Sequence, residues 1–348
     1  MEKKGSSKRS KWISAILILA GICLLLYAWS IGQGETKRMD TEEEVLSFAI
    51  YGDADTEKIA KKAVQSFQEL HHCKVEVYCY STEKEEENQV LGQAAGGKGF
   101  DVFYITPEVL KIMKDAGEVV NLEPILAERK EQGDIFYPVT LLEGQIEKQQ
   151  YALPIGVQPY MIYYNRDLLE KLGLEDPQGI FQEKRWTEET ASHYFQELAE
   201  KSGKNTFDME KKLSLSEYEM CKNSFQSGEE AFILGDLSMT RLLYNADFSW
   251  DIIPVPSEHS DFSNSTFTIP MIAAGTGTHQ DLACEFVDYY VSTLGQKLRL
   301  ESGECLLPSL SMVFYTSMGD VAFPEHSNYY FFAIENGYAS KNNPMIQE

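Results

Sequence analysis

Apolar and polar positions alternate from Val45 to Tyr51, with Leu46, Phe48 and Ile50 set against Ser47 and Ala49, until the pattern stops at Gly52-Asp53. A period of two predicts a strand. Ile59, Ala63, Phe67 and Leu70 then recur at helical spacing, which predicts a helix with one buried face. Lys74 to Tyr80 alternates again, Glu83 to Glu87 open a second helix running through Leu91 and Ala95 to Gly96-Gly97, and Phe100 to Ile105 form a third strand. Thr106-Pro107 start another helix, with Val109, Leu110, Ile112 and Met113 inward and Gly117 past its end. Strands and helices in alternation predict an α/β fold with a mostly parallel sheet covered on both faces. Such sheets bind ligands at the carboxyl ends of their strands. Those ends are Tyr51-Gly52-Asp53 and Thr106-Pro107-Glu108.

The pattern then breaks. In YALPIGVQPYMIYYNRDLLEKLG, Tyr151 to Gly173, an apolar strand is interrupted at Leu153-Pro154 and Gly156 before a helix begins. Proline removes a ladder donor and glycine permits unusual backbone angles, so the segment predicts a hinge crossing between two bodies. Asn165 caps a helix from Arg166 to Leu172, and Gly173 ends it. Trp186-Thr187 begin a further helix through Phe195 and Leu198, with Thr187 as its cap. FQSGEEAFILGD (Phe225 to Asp236) and WDIIPVP (Trp250 to Pro256) follow. From Phe267, FTIPMIAAGTGTHQDLACEFVDYYVST reads as a strand and a helix packed by Leu282, Phe286, Val287 and Tyr290, and GECLLP spans Gly303 to Pro308.

Taken in order, these segments resemble the extracellular solute-binding proteins of ABC importers, most closely the sugar-binding group that includes the maltodextrin-binding proteins. The block at Pro154 resembles the first hinge crossing, the Phe267 segment the second, and GECLLP the loop before a third. FQSGEEAFILGD and WDIIPVP are similar to the second-lobe pattern, a Phe-x-x-Gly-x-x-Ala helix leading to a Gly turn and then a buried strand. No single motif is specific; four weak patterns in the right order, from Val45 to about Pro308, carry the resemblance.

The resemblance implies a two-lobed type II periplasmic-binding-protein-like α/β fold with hinge crossings. Lobe one is expected at 45–155 plus 268–312, and lobe two at 156–267 plus 313–348. The implied function is capture of a small solute, a carbohydrate above all, in the interlobe cleft for delivery to ABC permease subunits. Tyr51 and Tyr160 are the expected stacking faces, and Asp53, Thr106 and Glu108 the polar groups from lobe one. Gln158 stands where the maltodextrin-binding relatives carry a hinge-adjacent carboxylate, and Asp236 follows Gly235 where the family usually ends in a stacking Trp. With the short stretch between Trp186 and Phe225, that departure implies a reduced second lobe. The rival expectation is a membrane-tethered accessory or sensor module that keeps the fold without feeding a transporter.

Charge narrows the partners. With 54 acidic against 31 basic residues the formal net charge is -23, the opposite of what phosphate recognition requires, so nucleic acid is not an expected partner. Solubility accounts for such acidity ahead of any cationic ligand. The amino terminus reverses the sign: Lys3, Lys4, Lys8, Arg9 and Lys11 precede an apolar run from Trp12 to Ile31. About 20 residues at roughly 1.5 Å each span a hydrocarbon core of about 30 Å, and the basic flank stays cytoplasmic. Residues 1–34 are therefore expected to be a transmembrane signal or anchor, 35–44 a tether, and the remainder extracytoplasmic. Retention and cleavage after Ser30, Gly32 or Gly34 both fit; lipidation at Cys23 fits poorly, because Ile22 spoils the small-residue pattern and Leu24 to Tyr27 continue the membrane run.

Catalytic patterns are missing. Cys73, Cys79, Cys221, Cys284 and Cys305 are odd in number without a CxxC, and the strand between Cys73 and Cys79 holds them about 20 Å apart, too far for a disulfide. Gly92 to Gly99 has the spacing GxxxxGK, yet Gly99 replaces the Mg²⁺-binding hydroxyl and the loop runs from helix to strand. With neither GxSxG nor HExxH, no catalytic residue, metal or cofactor is expected.

Overall fold

The structure is a computed structural model that describes residues 44–205, 207–209, 211–311, 313 and 324–340. The expected anchor, and all of the tether before Glu44, lie outside the described residues. Among the described residues no helix is long and apolar enough to cross a membrane.

The amino-terminal half builds the first body in the order expected. Strand β1 (Val45–Tyr51) leads to α1 (Ala54–His71), β2 (Lys74–Tyr80), α2 (Glu83–Ala95), β3 (Val102–Ile105) and α3 (Pro107–Ala116). Leu46, Phe48 and Ile50 pack with Phe67 on one face of the sheet, while Ala49 packs with Val90, Leu110 and Met113 on the other. The period of two thus divides β1 between two cores. Two of the predicted apolar positions face out instead: Leu70 is 59% exposed and Ile112 54%. At about 100° per residue, Ile112 stands roughly 200° round the helix from Leu110, away from the sheet.

A two-stranded hairpin, β4 (Gln145–Ile146) and β5 (Gln149–Gln150), precedes β6 (Leu153–Pro154), which joins the first sheet. The chain then enters a second body through β7 (Gln158–Pro159), β8 (Met161–Asn165), α4 (Glu188–Ser202), α5 (Leu215–Gln226), β9 (Phe232–Gly235) and β10 (Trp250–Ile253). Fully buried β8 lies between β10 and β9. Met161 and Tyr163 pack into a core with Phe225, whereas Ile162 and Tyr164 pack into another with Trp186 and Phe195. The Phe225 motif is not a helix throughout: Phe225 lies in the last turn of α5, Gly228 turns at φ +77, and Ala231 leads into β9. A left-handed glycine just past the last turn is what stops the helix.

The return is made by β11 (Thr266–Thr268), paired with β7, and β12 (Met271–Ala274), which lies between β3 and β6. Helices α6 (Gln280–Val291) and α7 (Thr293–Glu301) then pack on the first sheet, and α8 (Tyr329–Asn336) and β13 (Tyr338–Ala339) on the second body. The first sheet has the order β2-β1-β3-β12-β6. Its β1–β2 and β1–β3 pairs are parallel, but β12 is antiparallel to β3 and β6, so the sheet is mixed rather than mostly parallel. A strand that leaves for the other body and one that comes back through the same gap must run in opposite senses.

Three segments meet in that gap. The Ile155 amide donates to the Pro270 carbonyl at 2.9 Å, Val157 and Leu307 exchange two backbone hydrogen bonds of 2.8 Å, and Ser309 Oγ donates to the Pro154 carbonyl at 2.9 Å. Gly156 does not use a left-handed angle here. A Cβ on it would lie 2.8 Å from Leu306 Cβ and 2.9 Å from the Leu307 oxygen, so space is what demands glycine.

Candidate functional site

The carboxyl ends of β1 and β3 and the crossing segments enclose a cavity of about 730 Å³. Its lining includes Tyr51, the first turns of α2 and α3, Gln158, Tyr160, Thr268 to Pro270 and Ser340. A second cavity of about 370 Å³ adjoins it, sharing Tyr51, Gln158 and Pro270 and adding Asp53, Tyr104, Arg241 and Glu304.

Tyr51 closes β1 and meets Tyr104 edge to face, ring centroids 6.0 Å apart. Burial, and then neighbouring Glu83, hold its hydroxyl well above the ordinary value, so it stays a neutral donor. Asp53 caps α1, accepting from the Thr56 amide at 2.8 Å and the Thr56 hydroxyl at 2.9 Å, and these bonds keep its carboxyl below the usual range. Thr106 caps α3 and donates its hydroxyl to Glu87 Oε1 at 2.6 Å. Glu108 follows in the exposed first turn of α3. Both helices therefore begin at the cavity because their caps are the loops that end the strands.

Gln158 lies at the crossing, where its Nε2 donates to Asp236 Oδ2 at 2.8 Å. Asp236 is fixed in turn: Oδ1 accepts from the Ser238 amide at 2.9 Å and hydroxyl at 2.5 Å, and its carbonyl accepts from the Tyr163 hydroxyl at 2.7 Å. Asp236 lies outside both linings and instead orients the amide that enters them. Tyr160 is 4% exposed, and its burial, with Asp236 nearby, raises its pKa. Tyr51, Thr106, Glu108, Gln158 and Tyr160 meet at the larger cavity and Asp53 at the smaller.

Sequence reading missed several lining residues. Glu83, Glu87 and Glu143 face the larger cavity, as does the outward Ile112. The Glu83-to-Glu87 run signalled a helix start, and nothing in its spacing pointed to a cleft. Arg241 and Ser340 reach the site from distant sequence and had no local signal, and Glu304 lies in the GECLLP segment, which was read as the loop before a crossing and not as a lining.

Two other features lie in the second body. An apolar groove of about 440 Å³ is lined by Leu168, Leu172, Leu198, Phe207 and Leu234 among others. Asp251, Glu325 and His326 also converge, but His326 Nδ1 and Asp251 Oδ2 are 2.5 Å apart and Glu325 accepts from Arg166 Nη1 at 2.6 Å. With those partners taken, the cluster fastens His326 to β10 and Glu325 to Arg166.

Residues 52–297 match the family described as bacterial extracellular solute-binding protein. A galactooligosaccharide-binding protein of Bacillus subtilis (strain 168) is 23% identical over 165 residues, covering 47% of this chain and 37% of the relative. The match thus spans little more than a third of that relative's length. Among solved structures, the GacH receptor of Streptomyces glaucescens, determined unliganded and with acarbose, has a TM-score of 0.63 at 17% identity over 86% of this chain and 88% of the receptor. An ABC substrate-binding protein of Listeria monocytogenes in complex with cycloalternan has a TM-score of 0.62 at 14% identity, over 87% and 89%. At these identities the likeness establishes the fold, α/β and two-lobed.

Proposed function

Because the chain belongs to the bacterial extracellular solute-binding proteins, which bind solutes and are not enzymes, we propose that it captures a small carbohydrate between its lobes and hands it to the membrane subunits of an ABC importer. The observation that carries this reading is the cavity of about 730 Å³ at the crossings, lined by Tyr51, Tyr160 and Gln158, whose amide is already oriented by Asp236. Sugars present hydroxyls at their edges and C–H groups on their faces, and this combination of groups suits both. The lobes divide, on this reading, into 45–155 plus 268–312 and 156–267 plus 313–348. Closure about the crossings then brings Tyr160 and Gln158 over a solute resting on the first lobe.

Residues 1–34 serve as the signal or anchor that holds the binding module outside the membrane, since their basic flank and apolar run fit a single span. The galactooligosaccharide, acarbose and cycloalternan of the similar proteins make oligosaccharides the first ligands to try. A ligand that binds only the folded state adds RT ln(1 + [L]/Kd), about 2.7 kcal/mol at roughly a hundredfold excess over Kd. A thermal-shift panel of mono- and oligosaccharides on the full chain is expected to yield at least one saturable rise in Tm. A response that is flat across the panel, with the protein folded, would overturn carbohydrate capture and favour an accessory role.

A further inference from the structure

We propose that the apolar groove of the second body takes an extended acidic segment of a partner protein, which adds as a strand to the open edge of β9. The groove shares no lining residue with the two cavities at the crossings, so this does not rest on the carbohydrate reading. β9 is the last strand of its sheet, which is ordered β10-β8-β9. The Asn165 amide donates to the Ala231 carbonyl at 2.9 Å, and the pairing continues with Tyr163 opposite Ile233 and Met161 opposite Gly235. In an antiparallel ladder alternate residues turn both backbone groups to the same neighbour, so Ala231, Ile233 and Gly235 face β8 while Phe232 and Leu234 face outward. The Tyr218 hydroxyl reaches the Leu234 carbonyl at 3.4 Å; among the described residues the Phe232 amide and carbonyl and the Leu234 amide have no hydrogen-bond partner. Phe232 is only 6% exposed, and backbone groups kept from water without a partner are costly. Residues 229–234 all line the groove of about 440 Å³, so it is into this groove that the open edge faces.

What the edge lacks is a strand, and its surroundings say of which kind. A residue added opposite Phe232 puts its side chain on the same face of the sheet, where Leu198 and Phe207 pack with Phe232. Apolar side chains at every second position suit that face. The rim carries Lys171, Lys201, Lys204 and Lys211 against Asp208, Glu229 and Glu230, a basic excess in a chain of 31 basic and 54 acidic residues. Lys201 and Lys204 are held by Glu197 and Glu230, at 2.7 and 2.8 Å, while exposed Lys171 and Lys211 have no ion pair among the described residues. Carboxylates flanking the added strand meet those two ammonium groups. A second copy of this chain suits the edge less well, because it sets the same lysines against each other. A fatty acid fills the apolar space but leaves the backbone of Phe232 and Leu234 unpaired.

The test uses the full chain and fluorescent peptides of alternating valine and threonine, ended at both sides either by glutamates or by lysines. Anisotropy is expected to show saturable binding of the acidic peptide, about tenfold tighter than the basic one, with the preference shrinking severalfold as ionic strength rises from about 0.02 M to about 0.5 M. Methylating the acidic peptide's nitrogens at one set of alternate residues should abolish binding and at the other set spare it, since a strand bonds to its neighbour through every second residue. Amide exchange at Phe232 and Leu234 is expected to slow about tenfold on adding the acidic peptide, with Ile233 unchanged. Lys171→Glu combined with Lys211→Glu should remove the charge preference while Tm stays put, both side chains being exposed. Absence of saturable binding, equal effects of the two methylation patterns, or unaltered exchange at Phe232 and Leu234 would overturn strand addition, and equal binding of the basic peptide would overturn the acidic partner. Displacement of the peptide by decanoate with those two amides still exchanging freely would make the groove a fatty-acid site, and a concentration-dependent dimer protected at the same amides would make β9 a self-pairing edge; either result overturns the proposal.

Discussion

Arg299 is fully buried and shows how much one side chain does at the crossings. Its Nη2 donates to the Ile155 carbonyl at 2.6 Å, its Nη1 lies 3.5 Å from Glu304, and its guanidinium stacks 4.3 Å over Tyr290. Replacing it with Met would leave Glu304 buried without its counter-charge, and breaking such pairs costs about 3–5 kcal/mol. Denaturant unfolding of Arg299→Met is expected to show that loss, and an unchanged midpoint would mean the pair is solvated in solution. Glu86 makes a second prediction, through pH. Its folded pKa lies above the ordinary 4.5, at about 9, so the folded state holds a proton that the unfolded state releases. The stability this proton confers is complete below 4.5 and is lost as pH rises through about 9. Glu86→Gln removes that dependence, and its Tm should fall less than the parent's between about pH 5 and about pH 8. Identical slopes would place the carboxyl in water.

At the scale of elements, strands and helices of the first body were legible because each period meets one flat or cylindrical surface. Val45–Tyr51 and Lys74–Tyr80 begin and end where alternation does. Asn165 and Thr187 cap as read, their side chains accepting from the Leu168 and Thr190 amides, and Thr106, read only as a helix start, caps as well, accepting from the Val109 amide. Direction was not legible, since alternation is the same whichever way a strand runs, and β12 could be seen to oppose β3 only once the return path was known. Ile112 was misplaced for a related reason: apolarity predicted burial, whereas this residue faces the cleft. Gly156 was identified as special, but on the ground of backbone angle rather than space. Gly156→Ala forces a methyl against Leu306 and the Leu307 carbonyl, and such overpacking costs about 1–3 kcal/mol. Calorimetry on the variant checks this; full tolerance would show that the third segment yields easily.

At the scale of the whole molecule, the candidate site is a property of assembly. Tyr51 and Thr106 were foreseeable as strand ends, but the glutamates opposite Gln158 acquire meaning only when the lobes meet, and no spacing within Glu83 to Glu87 encodes that meeting. The distant Asp251–His326 contact belongs here too, because it ties the segment ahead of α8 to β10 at 2.5 Å. His326→Ala would leave fully buried Asp251 with only the backbone amides of Ile252 and His326 as donors. The expected result is a loss of about 3–5 kcal/mol in unfolding free energy, the cost of stranding a buried charge, with faster protease cleavage near residue 325. Stability unchanged from the parent would refute the tie. Closure over a ligand should also shrink the particle: small-angle scattering on the protein with a saturating sugar is expected to give a smaller radius of gyration than without it, and equal radii would argue for a cleft already shut.

The three segments stitched side by side at Ile155, Pro270 and Leu307 limit how that shutting can proceed. One strap would let its two loads swivel freely, whereas neighbouring straps laced at fixed heights resist swivelling and sliding and bend together about a single axis. If the proposed closure takes place, each stroke would bring the same jaws together in the same alignment, and a solute would be judged by whether it fits the end point of one reproducible path.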